Sequence, residues 1–177
     1  MTGLIEVKLT ELKQFFNSMD PSPFHECDLD DDAEEFIVSW AQEHPRQHDL
    51  RLVLHLTQAP PDTPDPQRLV SDSVAHYFDY RARMMQREFK RLMREGRASF
   101  MIGLLFLIAC QYAASLIASP AGNWPTVARE GLTIIGWVAM WKPLNICLYS
   151  WWPILTRRRL YQRLARMPVE VRCSTPT

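Results

Sequence analysis

Glycine and cysteine are scarce in this chain, and the motifs that they fail to form exclude several classes of protein. The 6 glycines are scattered over 177 residues, so there is neither a glycine-rich phosphate loop nor a GxSxG nucleophile elbow. The 4 cysteines include no CxxC pair and no zinc-ligand spacing, and we expect no structural disulfide. No histidine lies in either long apolar segment, which leaves no ligands for a membrane haem. We therefore expect no catalytic site, no metal and no cofactor.

Charge is absent from residues 100–118, which read FMIGLLFLIACQYAASLIA. A helix needs about 20 apolar residues to cross ~30 Å of hydrocarbon, and a soluble helix of this length would carry a polar face. The pattern predicts a transmembrane helix over residues 98–118. A second apolar segment predicts another over residues 127–155, where Pro143 can kink the helix, and residues 119–126 form the extracytoplasmic hairpin between them.

The net charge is zero, but charges of opposite sign are separated along the chain. Residues 1–80 carry 16 Asp or Glu against 5 Lys or Arg. Residues 81–97 carry 7 Lys or Arg against 2 Glu, and residues 157–177 carry 6 Arg against 1 Glu. The two basic blocks flank the apolar pair, and basic residues near span ends resist translocation. We therefore expect an integral protein of a bacterial-type inner membrane, with both termini in the cytoplasm.

Two short stretches have the period-two pattern of half-buried strands. They are residues 4–9 and residues 50–56, and in the second the leucines are expected to point inward and Val53 outward. Residues 169–172 alternate in the same way, so a third strand can join the same sheet. The predicted fold class is an α+β membrane protein, with two or three short strands and amphipathic helices beside a two-helix transmembrane hairpin.

A helix is predicted to begin near Asp31, because acidic residues crowd the positions where negative charge stabilises a helix N-terminus. We interpret Glu34 as one of these first-turn acids. The apolar face of the helix is expected to consist of Ala33, Phe36, Ile37, Trp40 and Ala41. This helix belongs to an acidic cytoplasmic domain over residues 1–58, which a proline-rich linker over residues 59–66 follows.

A long amphipathic helix is predicted over residues 67–97, and it leads into the first span. Its apolar stripe is interrupted by Arg81 and Glu88. Basic residues gather on the opposite side at helical spacing, and the basic tail over residues 156–177 begins with three more. The candidates for contact with anionic lipid or an acidic partner are Arg83, Arg87, Lys90, Arg94, Arg97, Arg157, Arg158 and Arg159. The alternative is a topology signal with a solvated face, and no motif indicates a nucleic-acid partner.

Lys142 and Asn145 are the polar candidates inside the second apolar segment. A charged side chain at that depth costs about 3 kcal/mol on insertion scales, so it faces protein or water, or extends toward the headgroups. Three interpretations stay open for Lys142. They are snorkelling, a lining or contact position in an oligomer, and conduction of protons or anions.

Small residues recur in both apolar segments and permit helices to approach closely, either within the hairpin or between protomers. They are Ser99, Gly103, Cys110, Ala114, Gly131 and Gly136. An isolated hairpin buries little surface, and a sheet of two or three strands has exposed edges. We therefore expect a homo-oligomer or a stable membrane partner, in contact with the lipid bilayer.

The expected function is that of an oligomeric integral membrane scaffold or accessory subunit, non-enzymatic, with a cytoplasmic interaction domain. The alternative is a small channel or transporter subunit with a pore lined near Lys142. Both follow from the membrane segments and the absence of catalytic motifs, and neither follows from a match to a known family.

Overall fold

The computed structural model describes residues 3–17, 28–44, 49–58, 65–117 and 123–173. The chain forms two compact units. We call Met1–Met85 with Thr156–Thr177 the sheet unit, and Gln86–Leu155 the hairpin unit. Residues 59–64 of the predicted linker and residues 119–122 of the predicted loop between the spans lie outside the described residues.

Three strands form the sheet of the sheet unit: β1 (Gly3–Leu9), β2 (Leu50–Leu56) and β3 (Val169–Cys173). All three are parallel, in the order β1-β2-β3. A short 3-10 helix (Leu12–Phe15) and α1 (Asp31–Glu43) lie between β1 and β2 along the chain. The third strand expected from the sequence is therefore present in the same sheet. The period-two pattern does not show whether this strand runs parallel or antiparallel to its neighbour. That direction depends on the crossover that connects the two strands.

The crossover between β2 and β3 contains the whole hairpin unit. Its helices are α2 (Pro66–Leu116), α3 (Asn123–Ala139), α4 (Trp141–Asn145) and α5 (Trp151–Leu164), with a π-helical turn over Ile146–Ser150. Both α2 and α5 belong in part to the sheet unit and in part to the hairpin unit. Both apolar segments thus lie, along the chain, between the paired residues Leu52 and Val169.

The core of the sheet unit lies between one face of the sheet and three helices. Side chains in this core that are 1% exposed or less come from β1, β2, the 3-10 helix, α1, α2 and α5, and from Leu29, which precedes α1. They include Ile5, Leu52, Leu54, Ile37, Val74, Phe78 and Leu164. The start of α2 is therefore a core helix. Its predicted apolar stripe is confirmed at Val70, Val74 and Tyr77, which are 0%, 1% and 6% exposed.

Val53 lies on the outward face of β2, as predicted, yet it is only 1% exposed. In the sheet register it is flanked by Glu6 and Glu170. His55 Nε2 lies 3.5 Å from Glu6 Oε1, and Arg51 Nη1 lies 4.0 Å from Glu170 Oε2 on the same face. Because a central strand has neighbours on both sides, charged side chains that pair across it can cover a valine between them.

α1 begins where the acidic residues predicted it, with the Asp30 carboxylate accepting a hydrogen bond from the first turn. Its buried face differs from the prediction. Phe36 and Trp40 are 40% and 42% exposed, whereas Glu34 is only 7% exposed. The buried residues of α1 are Glu34, Ile37 and Ala41. The Glu34 carboxylate can point inward because buried hydrogen-bond donors contact it, as described below.

Two helical segments are long and apolar enough to cross a membrane. They lie within Pro66–Leu116 and Trp124–Leu164, and each apolar stretch is only 17% buried, whereas a soluble core helix is mostly buried. The second is irregular. α3 ends at Ala139, four residues before Pro143, whose ring has no N–H to donate to that carbonyl. The break therefore lies about one turn before the proline.

Candidate functional site

Glu34 is the one buried acidic residue among those described. Its carboxylate accepts hydrogen bonds from the hydroxyl groups of Tyr77, at 2.5 Å, and Tyr161, at 3.2 Å. Arg81 donates from Nη2 to the same carboxylate and forms an ion pair with it. We call these four residues the Glu34 cluster. It joins α1 to α2 and α5 inside the sheet unit.

The spacing of residues along α2 explains how this cluster is built. Tyr77 and Arg81 are four residues apart, so they lie on the same side of the helix. The guanidinium carbon of Arg81 lies 5.5 Å from the ring centroid of Tyr77, within the range of a cation–π contact. From α5, Tyr161 stacks on Phe78 with the ring centroids 6.1 Å apart. Arg81 and Tyr161 are thus each packed against an aromatic ring of α2.

Burial and charge fix the protonation of the donors. Burial raises the pKa of Tyr77 above its ordinary value of 10, and the hydrogen bond to Glu34 raises this pKa further. Burial, followed by the negative charge of Glu34, also raises the pKa of Tyr161. The hydrogen bond to Glu34 raises the pKa of Arg81. The two tyrosines therefore stay protonated and the guanidinium stays charged across the neutral range.

Three hydrogen-bond donors, two from α2 and one from α5, contact the Glu34 carboxylate of α1. This arrangement holds the three helices together. The side chain of Glu34 is 10% exposed and that of Arg81 is 36% exposed, so the pair is only partly shielded from water. α2 and α5 are also the helices that continue into the hairpin unit. The cluster thus connects the sheet unit to the helices that leave and re-enter it.

Sequence reasoning missed this cluster. It assigned Glu34 to the acidic first turn of α1 and treated Arg81 as an interruption of an apolar stripe. One signal in the sequence could have revealed it. An acidic residue interrupts the apolar face of one helix and a basic residue interrupts that of another, and two such buried charges can form an ion pair with each other.

A cleft of about 340 Å³ lies between the end of α1 and the later turns of α5 within the sheet unit. Its lining residues are Ala41, Gln42, His44, Thr156, Arg159, Leu160 and Arg163. Arg159 is thereby the one residue of the predicted arginine triplet in this cleft. Arg157 is exposed, and the half-buried Arg158 has its Nε without a hydrogen-bond partner in the described part of the chain. Guanidinium, amide and hydroxyl groups beside apolar walls suit an anionic group such as a phosphate or carboxylate.

The five predicted basic residues of α2 are all exposed. Arg83 forms an i,i+4 ion pair with Asp79 at 3.0 Å, and Arg91 on the same helix pairs with Glu95 at 2.8 Å. Such surface pairs contribute little to stability. The remaining predicted residues are Arg87, Lys90, Arg94 and Arg97.

Lys142 and Asn145 both lie on α4 and are exposed. Large apolar side chains adjoin them in sequence, and Trp141 and Leu144 are themselves 76% and 41% exposed. The structure therefore brings the two polar groups to the outer surface of an apolar segment.

Four of the predicted small residues are buried within the hairpin unit: Gly103, Cys110, Ala114 and Gly136. A Cβ atom added at Gly136 would lie 2.9 Å from Leu107 Cδ1 and 3.2 Å from Cys110 Cβ. One added at Gly103 would lie 3.1 Å from Met140 Sδ. These two glycines therefore allow the first and second apolar segments to approach each other closely.

The other small residues differ. A Cβ atom at Gly131 would have no described atom within 4 Å, and Ser99 is only half-buried. Gly96 was not among the predicted small residues, yet a Cβ atom added there would lie 2.8 Å from Ile146 Cγ2. The sequence could have indicated Gly96, because it lies two helical turns before Gly103 and therefore on the same face of α2.

Within the described ranges, no three His, Cys, Asp or Glu side chains are grouped so that they could hold a metal ion. The chain matches no protein-family model, no curated protein and no solved structure.

Proposed function

We propose that this chain is a non-enzymatic integral membrane scaffold or accessory subunit, in which a two-helix hairpin anchors a cytoplasmic interaction domain. The observation that carries the proposal is the apolar surface of the hairpin unit. Ile102, Leu105, Val138 and Trp141 are 68%, 63%, 65% and 76% exposed. A water-soluble monomer rarely exposes a contiguous apolar patch beyond a few hundred Å², and hydrocarbon chains would cover this one.

The sheet supports a topology with both ends of the hairpin on one side of the membrane. β2 precedes the two apolar segments and β3 follows them, yet Leu54 pairs directly with Val171. Two strands of one sheet must share a compartment, so the chain crosses the membrane an even number of times. The basic residues before and after the hairpin favour the cytoplasm of a bacterial-type cell.

Contacts with lipid and protein would use different surfaces. The exposed basic residues of α2 and the arginines of α5 suit anionic headgroups. Phe36 and Trp40, whose ring centroids are 5.9 Å apart on the exposed side of α1, offer an aromatic surface to a protein partner. The Glu34 cluster would keep such a partner attached to the helices that carry the anchor.

Flotation and mass measurement test this proposal. Vesicles carrying the chain are washed at alkaline pH and floated on a density gradient, and we expect the chain to float with the lipid. Light scattering after detergent correction should give a multiple of 20.7 kDa. A chain that stays soluble and monodisperse without detergent would refute the membrane anchor. A mass of one chain, with no bound partner, would refute the assembly.

A second candidate, a small channel or transporter subunit, is favoured by the exposure of Lys142 and Asn145 on an apolar segment. Several hairpins around a central axis would place these groups in a polar lumen. Ion flux through proteoliposomes separates the two functions. Flux that Lys142→Leu abolishes supports the channel, and vesicles as tight as empty ones support the scaffold.

A further inference from the structure

The two edges of the sheet are protected to different degrees. At the β3 edge, the side chain of Gln67, from the start of α2, takes the place of a neighbouring strand. Its Nε2 donates to the carbonyl of Val169, and its Oε1 accepts from the N–H of Val171 at 2.6 Å. One amide side chain thus satisfies a donor and an acceptor of the strand.

At the β1 edge, no residue in the described part of the chain covers the outward groups in this way. Gly3 N donates to Asp49 O at 2.8 Å, and Leu9 O accepts from Thr57 N at 3.1 Å, so the odd-numbered residues of β1 bond to β2. Alternate residues of a parallel strand bond to opposite sides. The residues whose N–H and C=O groups point away from β2 are Leu4, Glu6 and Lys8. Within the described ranges, these backbone groups have no hydrogen-bond partner.

An uncovered strand edge of this kind can pair with another chain. β1 is 7 residues long, contains no proline and keeps an unbroken register with β2. Leu4, on this strand, is 46% exposed. The charges that β1 carries are of opposite sign, with Glu6 and Lys8 both exposed on the same face.

We propose that β1 pairs antiparallel with β1 of a second copy of this chain, in the register that places Glu6 opposite Lys8 of the other copy. Both of these residues direct their backbone groups outward, so each Glu6–Lys8 pair forms two backbone hydrogen bonds. The twofold symmetry of the dimer repeats the pair, which gives four bonds. The result is a continuous six-stranded sheet.

Charge selects this register over its neighbours. A pairing centred on Glu6 would set two glutamates against each other, and a pairing centred on Lys8 would set two lysines against each other. The intermediate register, centred on Val7, instead creates two pairs of opposite charge. Like charges directly opposite destabilise an antiparallel pair, whereas opposite charges stabilise it.

Four backbone hydrogen bonds and two ion pairs make a small interface, which two dissolved chains would form only weakly. This inference therefore rests on the proposed membrane anchor, which confines the copies to one plane and raises their effective concentration. It also gives a specific identity to the partner that the proposed function leaves general.

Charge reversal in the membrane-reconstituted full chain tests the interface. Glu6→Lys and Lys8→Glu should each weaken dimerisation by about fivefold or more, because each converts both attractive pairs into repulsive ones. The double variant Glu6→Lys/Lys8→Glu should restore it to within about twofold. Glu6 also lies 3.5 Å from His55, and the double variant does not restore that contact, so its recovery would report pairing between chains. Glu35→Lys, on the exposed surface of α1, serves as the control.

Cysteine cross-linking tests the register, in a variant whose native cysteines are replaced by alanine. Val7→Cys should form a disulfide between copies, since residues opposite each other in a non-hydrogen-bonded pair have Cα atoms about 4.5 Å apart. Glu6→Cys and Lys8→Cys should not cross-link with themselves, because the register separates each from its own copy by more than about 7 Å. When the two single variants are reconstituted in the same membrane, however, Glu6→Cys of one copy should cross-link to Lys8→Cys of the other.

All measurements use protein recovered by flotation, so that the two proposals fail separately. A chain that does not float refutes the membrane anchor. A floated chain whose dimer is unchanged by either reversal, or is not rescued by the double variant, refutes β1 pairing alone. Stronger self-cross-linking at Glu6→Cys or Lys8→Cys than at Val7→Cys would also overturn the register.

Discussion

Glu34→Leu removes the acceptor on which Tyr77, Arg81 and Tyr161 converge. Removing one partner of a buried ion pair costs about 3–5 kcal/mol, because the other charge is left without compensation. The side chain of Arg81 is 36% exposed, so water can hydrate the guanidinium that remains. Discounting for this hydration, we expect the sheet unit to lose about 2–4 kcal/mol of unfolding free energy.

Hydrogen exchange of the β2 peptide in lipid nanodiscs measures this loss. Circular dichroism would be dominated by the long helices, whereas the amides of β2 report on the sheet unit itself. If β2 exchanges by unfolding of that unit, a loss of 2–4 kcal/mol accelerates its exchange by about 30- to 700-fold.

Two variants complete the experiment. Glu35→Leu changes the exposed neighbouring residue of α1 and should leave the exchange rate within about threefold of the original. The double variant Glu34→Leu/Arg81→Leu removes both charges and should exchange more slowly than Glu34→Leu alone. Equal rates for Glu34→Leu and Glu35→Leu would refute the cluster as a stabilising contact, and so would additive losses in the double variant.

Three further predictions concern ionisation, the hairpin and the sheet edge. The raised pKa values of the two tyrosines in the Glu34 cluster mean that ionisation favours the unfolded chain, so the stability of the sheet unit should be constant up to about pH 10 and fall above it. Urea unfolding from pH 8 to 11 measures this, and Tyr77→Phe should reduce the fall. Gly136→Leu should cost about 1–3 kcal/mol by overpacking the hairpin, seen as faster N-ethylmaleimide labelling of the buried cysteine beside it, whereas Gly131→Leu should have no such effect. Gln67→Leu should accelerate exchange of the N–H of Val171 by tenfold or more, and an unchanged rate would contradict its role as a substitute strand.

Local patterns in the sequence predicted much of the secondary structure. The period-two pattern predicted the three strands, the acidic residues around Asp31 predicted the start of α1, and two long apolar runs predicted the apolar helical segments. These features depend on residues within a few positions of one another, which a single sequence displays directly.

Contacts between distant residues were not predictable in the same way. Glu34 and Tyr161 are 127 positions apart, and Gln67 and Val169 are 102 apart. A polar side chain at the edge of an apolar pattern is compatible with solvent as well as with a partner, so the sequence did not distinguish the two. The parallel order of the strands was hidden for the same reason, because β3 reaches β2 only through the hairpin.

Cysteine accessibility in oriented membranes tests most directly whether the hairpin carries both ends of the sheet on the cytoplasmic side. A variant with Cys173 as its only cysteine, exposed on β3, should react with a membrane-impermeant maleimide in inverted vesicles and not in intact spheroplasts. A matched variant with Thr126→Cys as its only cysteine, near the start of α3, should show the reverse pattern. Labelling of both positions from the same side, or release of the chain from vesicles by alkaline washing, would contradict the membrane-spanning hairpin.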